Sequence, residues 1–244
     1  MKKIILSILT TFCITTIHAQ VGEYRNVFSI GVGGGYALNT IGFTPKVLQK
    51  VHGGYHFGLT GRYTCEKYFS MLCAVQLEAN ISQLGWQEDI KTMAGNPVIN
   101  TETGIAEQYK RNQTYLQIPI FAHLSWGKER KGVNGFVNIG PQIGFSIGEQ
   151  TNKNYETPNT NDANGEGRSN AIIAQESMPI ENKFDYGIVA GAGIEVHINH
   201  VGRFDLEGRY YYGLGNIYGD SKRDYFGTSN HSTIFIKLSY LRDL

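Results

Sequence analysis

Met71-Leu72-Cys73-Ala74-Val75-Gln76-Leu77-Glu78-Ala79-Asn80-Ile81-Ser82 decides the fold. Met71, Cys73, Val75, Leu77, Ala79 and Ile81 fall on one side of a two-residue period, while Ala74, Gln76, Glu78, Asn80 and Ser82 fall on the other. An extended strand separates side chains in this way, because successive Cβ atoms point to opposite faces. The same rhythm recurs over about Asn26 to Tyr36, Val51 to Thr64, Ser70 to Trp86, Gln113 to Trp126, Val133 to Gly148, Phe184 to Ile198, Arg203 to Ile217 and Ser232 to Arg242. Connections between these eight stretches alternate short and long. An up-and-down meander follows, with tight turns at one end and long loops at the other, and it must close on itself or leave an edge. The expected fold is all-β: an eight-stranded antiparallel up-and-down transmembrane β-barrel.

The chemistry of the two faces sets the solvent. A soluble barrel points its apolar face inward and needs charges outside. Here the apolar face is nearly uninterrupted Ile, Val, Leu, Phe and Tyr with no Lys or Glu in its middle, as contact with hydrocarbon demands. The other face carries small residues and a few charges, and in the first strand it is Ser29, Gly31 and Gly33. The apolar face is therefore expected outward. Trp126, Tyr63, Tyr68, Phe69 and Tyr240 are expected to form an aromatic belt at the short-turn end, with Tyr36, Trp86, Tyr186 and Tyr218 forming one at the long-loop end.

The start of the chain supports this solvent. Met1, Lys2 and Lys3 precede a mostly apolar run from Ile4 to Ile17, and Ala19 offers a small residue for cleavage before Gln20. Residues 1–19 are expected to be a signal peptide and residues 20–244 the barrel domain. No later segment is continuously apolar over the twenty or so residues that a membrane helix requires, so any crossing is by strands. The composition of 30 Gly, 15 Tyr, 12 Phe and 6 Pro suits a single barrel, and a net charge of +1 offers no basic face for nucleic acid. Cys65 and Cys73 remain after processing. Read as flanking a turn at Glu66 to Phe69, they are offset by several positions and are expected to be free thiols.

On the inward faces Arg62, Glu78, Glu195, Glu207, Arg209 and Lys237 supply balanced opposite charges. An eight-stranded barrel is just wide enough for side chains to fill, and buried charges must be paired, so these six are expected to form an interior ion network that closes the lumen. A path for a small solute or proton is the alternative. The pairs His123 with Ser125 and His197 with His200 are expected to make structural hydrogen bonds, not to catalyse or hold metal. The glycine runs Gly31 to Gly35 and Gly191 to Gly193 lack the strand-to-helix setting of a dinucleotide loop, so no cofactor is expected. The polar stretches from about Gln87 to Asn112 and Glu149 to Asn182 read as exposed loops, the second mobile and solvent-facing because its composition cannot bury enough apolar surface to fold alone.

Leu116-Gln117-Ile118-Pro119-Ile120, Asn138-Ile139-Gly140-Pro141, Asp185-Tyr186-Gly187 leading to Gly191-Ala192-Gly193-Ile194-Glu195, and Tyr210-Tyr211-Tyr212-Gly213-Leu214-Gly215-Asn216-Ile217 together resemble the PorT-like outer-membrane β-barrel family. The resemblance covers essentially the whole mature chain. It implies an outer-membrane location and an eight-stranded barrel. The chain departs from the usual ending of such barrels by closing on Leu244 in place of an aromatic residue. From the residues, the expected role is structural or in interaction, with outer-membrane lipid around the wall and protein or surface-ligand partners at the extracellular loops. A component of secretion or solute transport is the alternative from another class, and a lipid-modifying enzyme a third.

Overall fold

Among the described residues the two-residue period is realised in nine strands: β1 Glu23–Thr44, β2 Gln49–Lys50, β3 His52–Tyr68, β4 Met71–Glu88, β5 Tyr109–Trp126, β6 Gly132–Lys153, β7 Phe184–Ile198, β8 Gly202–Gly213 and β9 Thr228–Asp243. The computed structural model describes residues 22–100, 102–128, 131–156, 167–170, 172–219 and 225–244. Residues 1–19, read as a leader, and the Ala19 to Gln20 cleavage point lie outside the described residues. All neighbours pair antiparallel in the order β4-β3-β1-β9-β8-β7-β6-β5, and β4 pairs with β5 to close the ring. The two-residue β2 adds a short rung to β4 through Gln49–Glu88 and Lys50–Gln87. The other eight strands make the wall. Closure gives each strand two partners, which is what hydrocarbon requires of a backbone that water cannot reach.

Alternation decides which face each residue takes. Ile30, Val32, Leu59, Leu77, Ile120, Ile139, Ile188, Leu206, Ile236 and Leu238 all point out. Arg62, Gln76, Glu78, Asn80, Gln117, His123, Asn138, Glu195, Glu207, Arg209 and Lys237 are buried inside. This is the inverse of a water-soluble core. The short connections lie at Phe69–Ser70, at 127–131 and at 199–201, with Phe69 (φ 54°) and His200 (φ 64°) taking the left-handed conformation that reverses the chain tightly.

Several strands are longer than the pattern suggested. β1 reaches Thr44, not Tyr36, because it pairs with β9 up to Thr44–Thr228. β6 runs to Lys153, not Gly148, whereas β8 stops at Gly213, short of Ile217. Two residues assigned to the outer belt are inside: Trp86 and Tyr218 are both fully buried. Trp86 shares the inward parity of Ser82 and Glu88 on β4, so the period itself directs it inward. Tyr36 and Tyr186 do face out, as do Trp126, Tyr63 and Phe69 at the opposite end. Cys65 and Cys73 are free thiols, but not through the offset expected of them. The hairpin turns at Phe69–Ser70 and a bulge falls between Thr64 and Glu66, so Cys65 sits beside the Glu66–Cys73 pair and not several positions away.

Candidate functional site

The lumen is filled in layers, and the deepest is ionic. Arg62 on β3 sends Nη1 to Glu195 Oε2 on β7 and Nη2 to Asp205 Oδ2 on β8, each at 2.5 Å, while its Nε donates to Gln76 Oε1 at 2.7 Å. Gln76 donates in turn to Glu78 Oε1 at 2.7 Å. Glu78 is the hub of the next layer. Arg209 grips it with two nitrogens at 2.6 and 2.7 Å, Lys237 Nζ lies 2.8 Å from its Oε2, and Asn80 donates to the same oxygen at 2.9 Å. Arg209 also reaches Glu207 at 2.7 Å and lies over the Phe121 ring at 4.6 Å. Glu207 accepts from Asn138, whose carbonyl oxygen meets His123 Nδ1 at 2.8 Å.

The structure therefore places all six residues named from the sequence inside the barrel and joins them through two connected clusters. Asp205 is the one that sequence reasoning left out. It shares the face of Glu207 and Arg209 on β8, so the period alone flags it. With Asp205 the two clusters hold four carboxylates, Glu78, Glu195, Asp205 and Glu207, against three cations, Arg62, Arg209 and Lys237. Glycine makes the room: a Cβ at Gly33 would lie 2.6 Å from Lys237 Cε, and one at Gly191 would lie 2.6 Å from Glu207 Oε1.

Above the ions Ala37, Leu84, Tyr115, Phe121, Val189, Tyr211 and Phe235 pack across the lumen. Tyr211 satisfies its hydroxyl on Asp185 at 2.8 Å. The long loops close the mouth over this layer. Ile41, Phe43, Val47, Trp86, Ile90, Val98, Tyr109, Tyr155, Ile217, Tyr218 and Phe226 form one apolar core there, with Ile172, Ala174, Met178 and Ile180 packed on it. Arg111 lies over the Trp86 ring, pairs with Glu149 and donates to the Met178 carbonyl at 2.7 Å. Of the Glu149 to Asn182 stretch, read from composition as mobile and solvent-facing, residues 149–153 prolong β6 as exposed strand, residues 157–166 and 171 lie outside the described residues, and Tyr155, Ile172, Ala174, Met178 and Ile180 fold into the cap. Composition judges a loop standing alone, whereas this one folds against apolar side chains from three other connections and from the tops of β1, β4 and β5.

One guanidinium ties the cap together. Arg168 meets Glu88 at 2.7 Å, Glu176 at 3.0 Å and Glu107 at 3.7 Å, all four side chains being almost wholly buried. Asn170 and Gln175 donate to Glu88 at 2.8 and 2.9 Å. Three carboxylates share one cation. Burial lifts the Glu176 carboxyl above its usual range, and the charge of Glu88 adds to the effect, against the pull of the Tyr155 hydroxyl and Arg168. Between the ordinary and the raised value the folded cap holds on Glu176 a proton that the opened cap has released. The contribution of Glu176 to cap stability is therefore fully present below the ordinary carboxylate value and is lost as pH rises through the raised one. Amide-exchange protection factors over Ala174–Met178 should fall across that interval, and Glu176→Gln should flatten the profile; identical profiles in both proteins would remove Glu176 as the cause.

His123 and Ser125 are both buried on β5; His197 lies near the end of β7 and His200 within the 199–201 turn, so the two do not straddle it as expected. Among the described residues no group of His, Cys, Asp and Glu is arranged to hold a metal ion.

A closed ring with an apolar outside, a charged and packed inside and a looped cap at one end defines an outer-membrane β-barrel. The sequence matches the family model of the outer membrane protein beta-barrel domain over residues 18–219, and the chain belongs to that family. Its place is the outer membrane, with lipid against its wall. Among solved structures the chain is similar to Neisserial surface protein A, at 8% identity over 87% of this chain and 96% of that one, with a TM-score of 0.40. It is similar also to OprG of Pseudomonas aeruginosa (12% identity, 91% and 98% covered, TM-score 0.39) and to Ail of Yersinia pestis in complex with the heparin analogue sucrose octasulfate (10%, 89% and 100%, TM-score 0.37). No curated protein matches the sequence.

Proposed function

We propose that this barrel is a closed scaffold that acts by recognition at its extracellular cap, not a pore or an enzyme. The observation that carries this reading is the filling of the lumen along its length: ionic layer, aromatic layer, then the cap core. A pore needs a continuous polar path, whereas here Tyr115, Phe121, Tyr211 and Phe235 are buried across the middle. Rigid scaffolds with folded loops are where recognition sits. The motif likeness to PorT-like barrels belongs to the same reading, as do residues 1–19 acting as a leader cleaved between Ala19 and Gln20. In planar bilayers the purified barrel is expected to give no conductance steps. Steady ohmic steps, lost on disulfide tethering of the cap or not, would sink the closed-scaffold reading in favour of solute transport.

A further inference from the structure

One guanidinium stands on the outside of the wall. Arg242 follows Ile236, Leu238 and Tyr240 on the outward face of β9, and among the described residues it makes no hydrogen bond, ion pair or ring contact. Lying just past Tyr240, it sits at headgroup depth at the short-turn end. Across the seam it pairs with Ile30, and the row runs on through Gly61 on β3 to Leu77 on β4. An apolar groove of about 770 Å³ follows that row, lined by Ile30, Leu59, Leu77, Ile118, Tyr240 and Arg242. Gly61 gives it depth, since a Cβ there would meet only the Phe28 ring, at 3.7 Å. On its other side Arg242 lines a second hollow, of about 410 Å³, with His197, His200 and Asp243 beside the β7–β8 turn. Asp243 is already held by Arg203 and Ser29, at 2.8 and 2.6 Å.

We propose that groove and hollow together hold one glycerophospholipid of the leaflet at the short-turn end, its acyl chain along the row from Ile30 to Leu77 and its phosphate on Arg242. Length sets the tail side. From β9 to β5 the groove crosses four strand spacings, about 19 Å at ~4.8 Å each. One leaflet of a hydrocarbon core about 30 Å thick gives a tilted chain about 15 Å of depth, which that track accommodates. Charge sets the head side. Five guanidinium N–H groups in a planar fork match two phosphate oxygens, and no carboxylate of the described residues competes for them. An apolar track that ends on an unpaired cation selects an anionic amphiphile, which neither half does alone. Cleavage after Ala19, on which this site rests, leaves two residues ahead of Gly22. From Gly22 to Ile30 is roughly 26 Å at ~3.3 Å per residue, so those two do not reach Arg242.

The test uses the barrel purified from membranes into detergent, with phosphatidylglycerol titrated in and bound lipid read as mass adducts in native mass spectrometry. The intact mass also reports whether residues 1–19 are gone. Diacylglycerol with the same chains lacks the phosphate, and inorganic phosphate lacks the chains. One phosphatidylglycerol is expected to saturate a site at least tenfold more tightly than diacylglycerol, and inorganic phosphate is expected not to displace it. Arg242→Gln removes the cation and Gly61→Leu fills the groove; each is expected to weaken the adduct at least tenfold with heat-shifted gel mobility intact. Ala190→Leu, on the outward face of β7, is the control and is expected to leave it unchanged. Full retention by both folded variants, equal loss in Ala190→Leu, or equal binding of diacylglycerol overturns the proposal and leaves only exchanging lipid around the wall. Displacement by inorganic phosphate overturns it in favour of a soluble anion. A retained leader counts against the cleavage, whereas an adduct indifferent to both variants in the cleaved barrel counts against the site. The site lies outside the lumen and away from the cap, so its loss leaves the closed-scaffold reading standing.

Discussion

Arg209→Ala is expected to destabilise the barrel by about 3–5 kcal/mol, the cost of leaving a buried charge without its partner. Arg209 holds both oxygens of Glu78, one of Glu207 and the face of Phe121. Without it Glu78 keeps Lys237 and two amide donors, and Glu207 keeps Asn138, in a lumen where water cannot replace five guanidinium N–H groups. Glu78→Ala is expected to act from the other side, stranding Arg209 and Lys237. The midpoint of the heat-induced gel shift, or of urea unfolding in vesicles, measures both. The double variant Glu78→Leu/Arg209→Met should be milder than the sum of its parts, since it removes charge and partner together. Unchanged midpoints in both single variants would show that the network contributes nothing to stability.

Leu77→Arg tests the outward face. Leu77 is half-exposed, six residues from the Met71–Trp126 rung that marks the short-turn belt, which puts it near the middle of the wall. A guanidinium there faces hydrocarbon and costs about 2–4 kcal/mol, whereas at Met71, beside the belt, the cost falls to about 0–1 kcal/mol. Folding yield into vesicles should therefore drop steeply for Leu77→Arg and little for Met71→Arg. Equal yields would mean that Leu77 does not meet lipid.

Much of this was legible because a two-residue period is hard to disguise when one face must be apolar throughout. Every strand of the wall was found, and Phe184–Ile198 was placed at both ends, since a tight turn and a polar loop bound it on either side. The interior charges were found by parity. What stayed hidden was decided by partners remote in sequence. β1 extends to Thr44 only because β9 lies beside it, and β6 outruns its apolar pattern because β5 supports it from one side. Trp86 was drawn to the belt by its residue type, although its own parity pointed inward. The cap is the largest gap. Arg168 and Glu176 come from the β6–β7 connection, Glu88 from the top of β4 and Glu107 from the approach to β5, and nothing local in any of these segments signals that they meet.

The ring is sealed by β1 against β9, so Tyr36 bonds beside Ile236 and Ala37 beside Phe235. The first strand to emerge waits for the last. Until that seam forms, two strands carry open hydrogen-bonding edges and every outward Ile, Leu and Val lacks its proper solvent. Forming strands and closing the wall are thus separate events for this chain: no part of it is a barrel until its first and last strands have met.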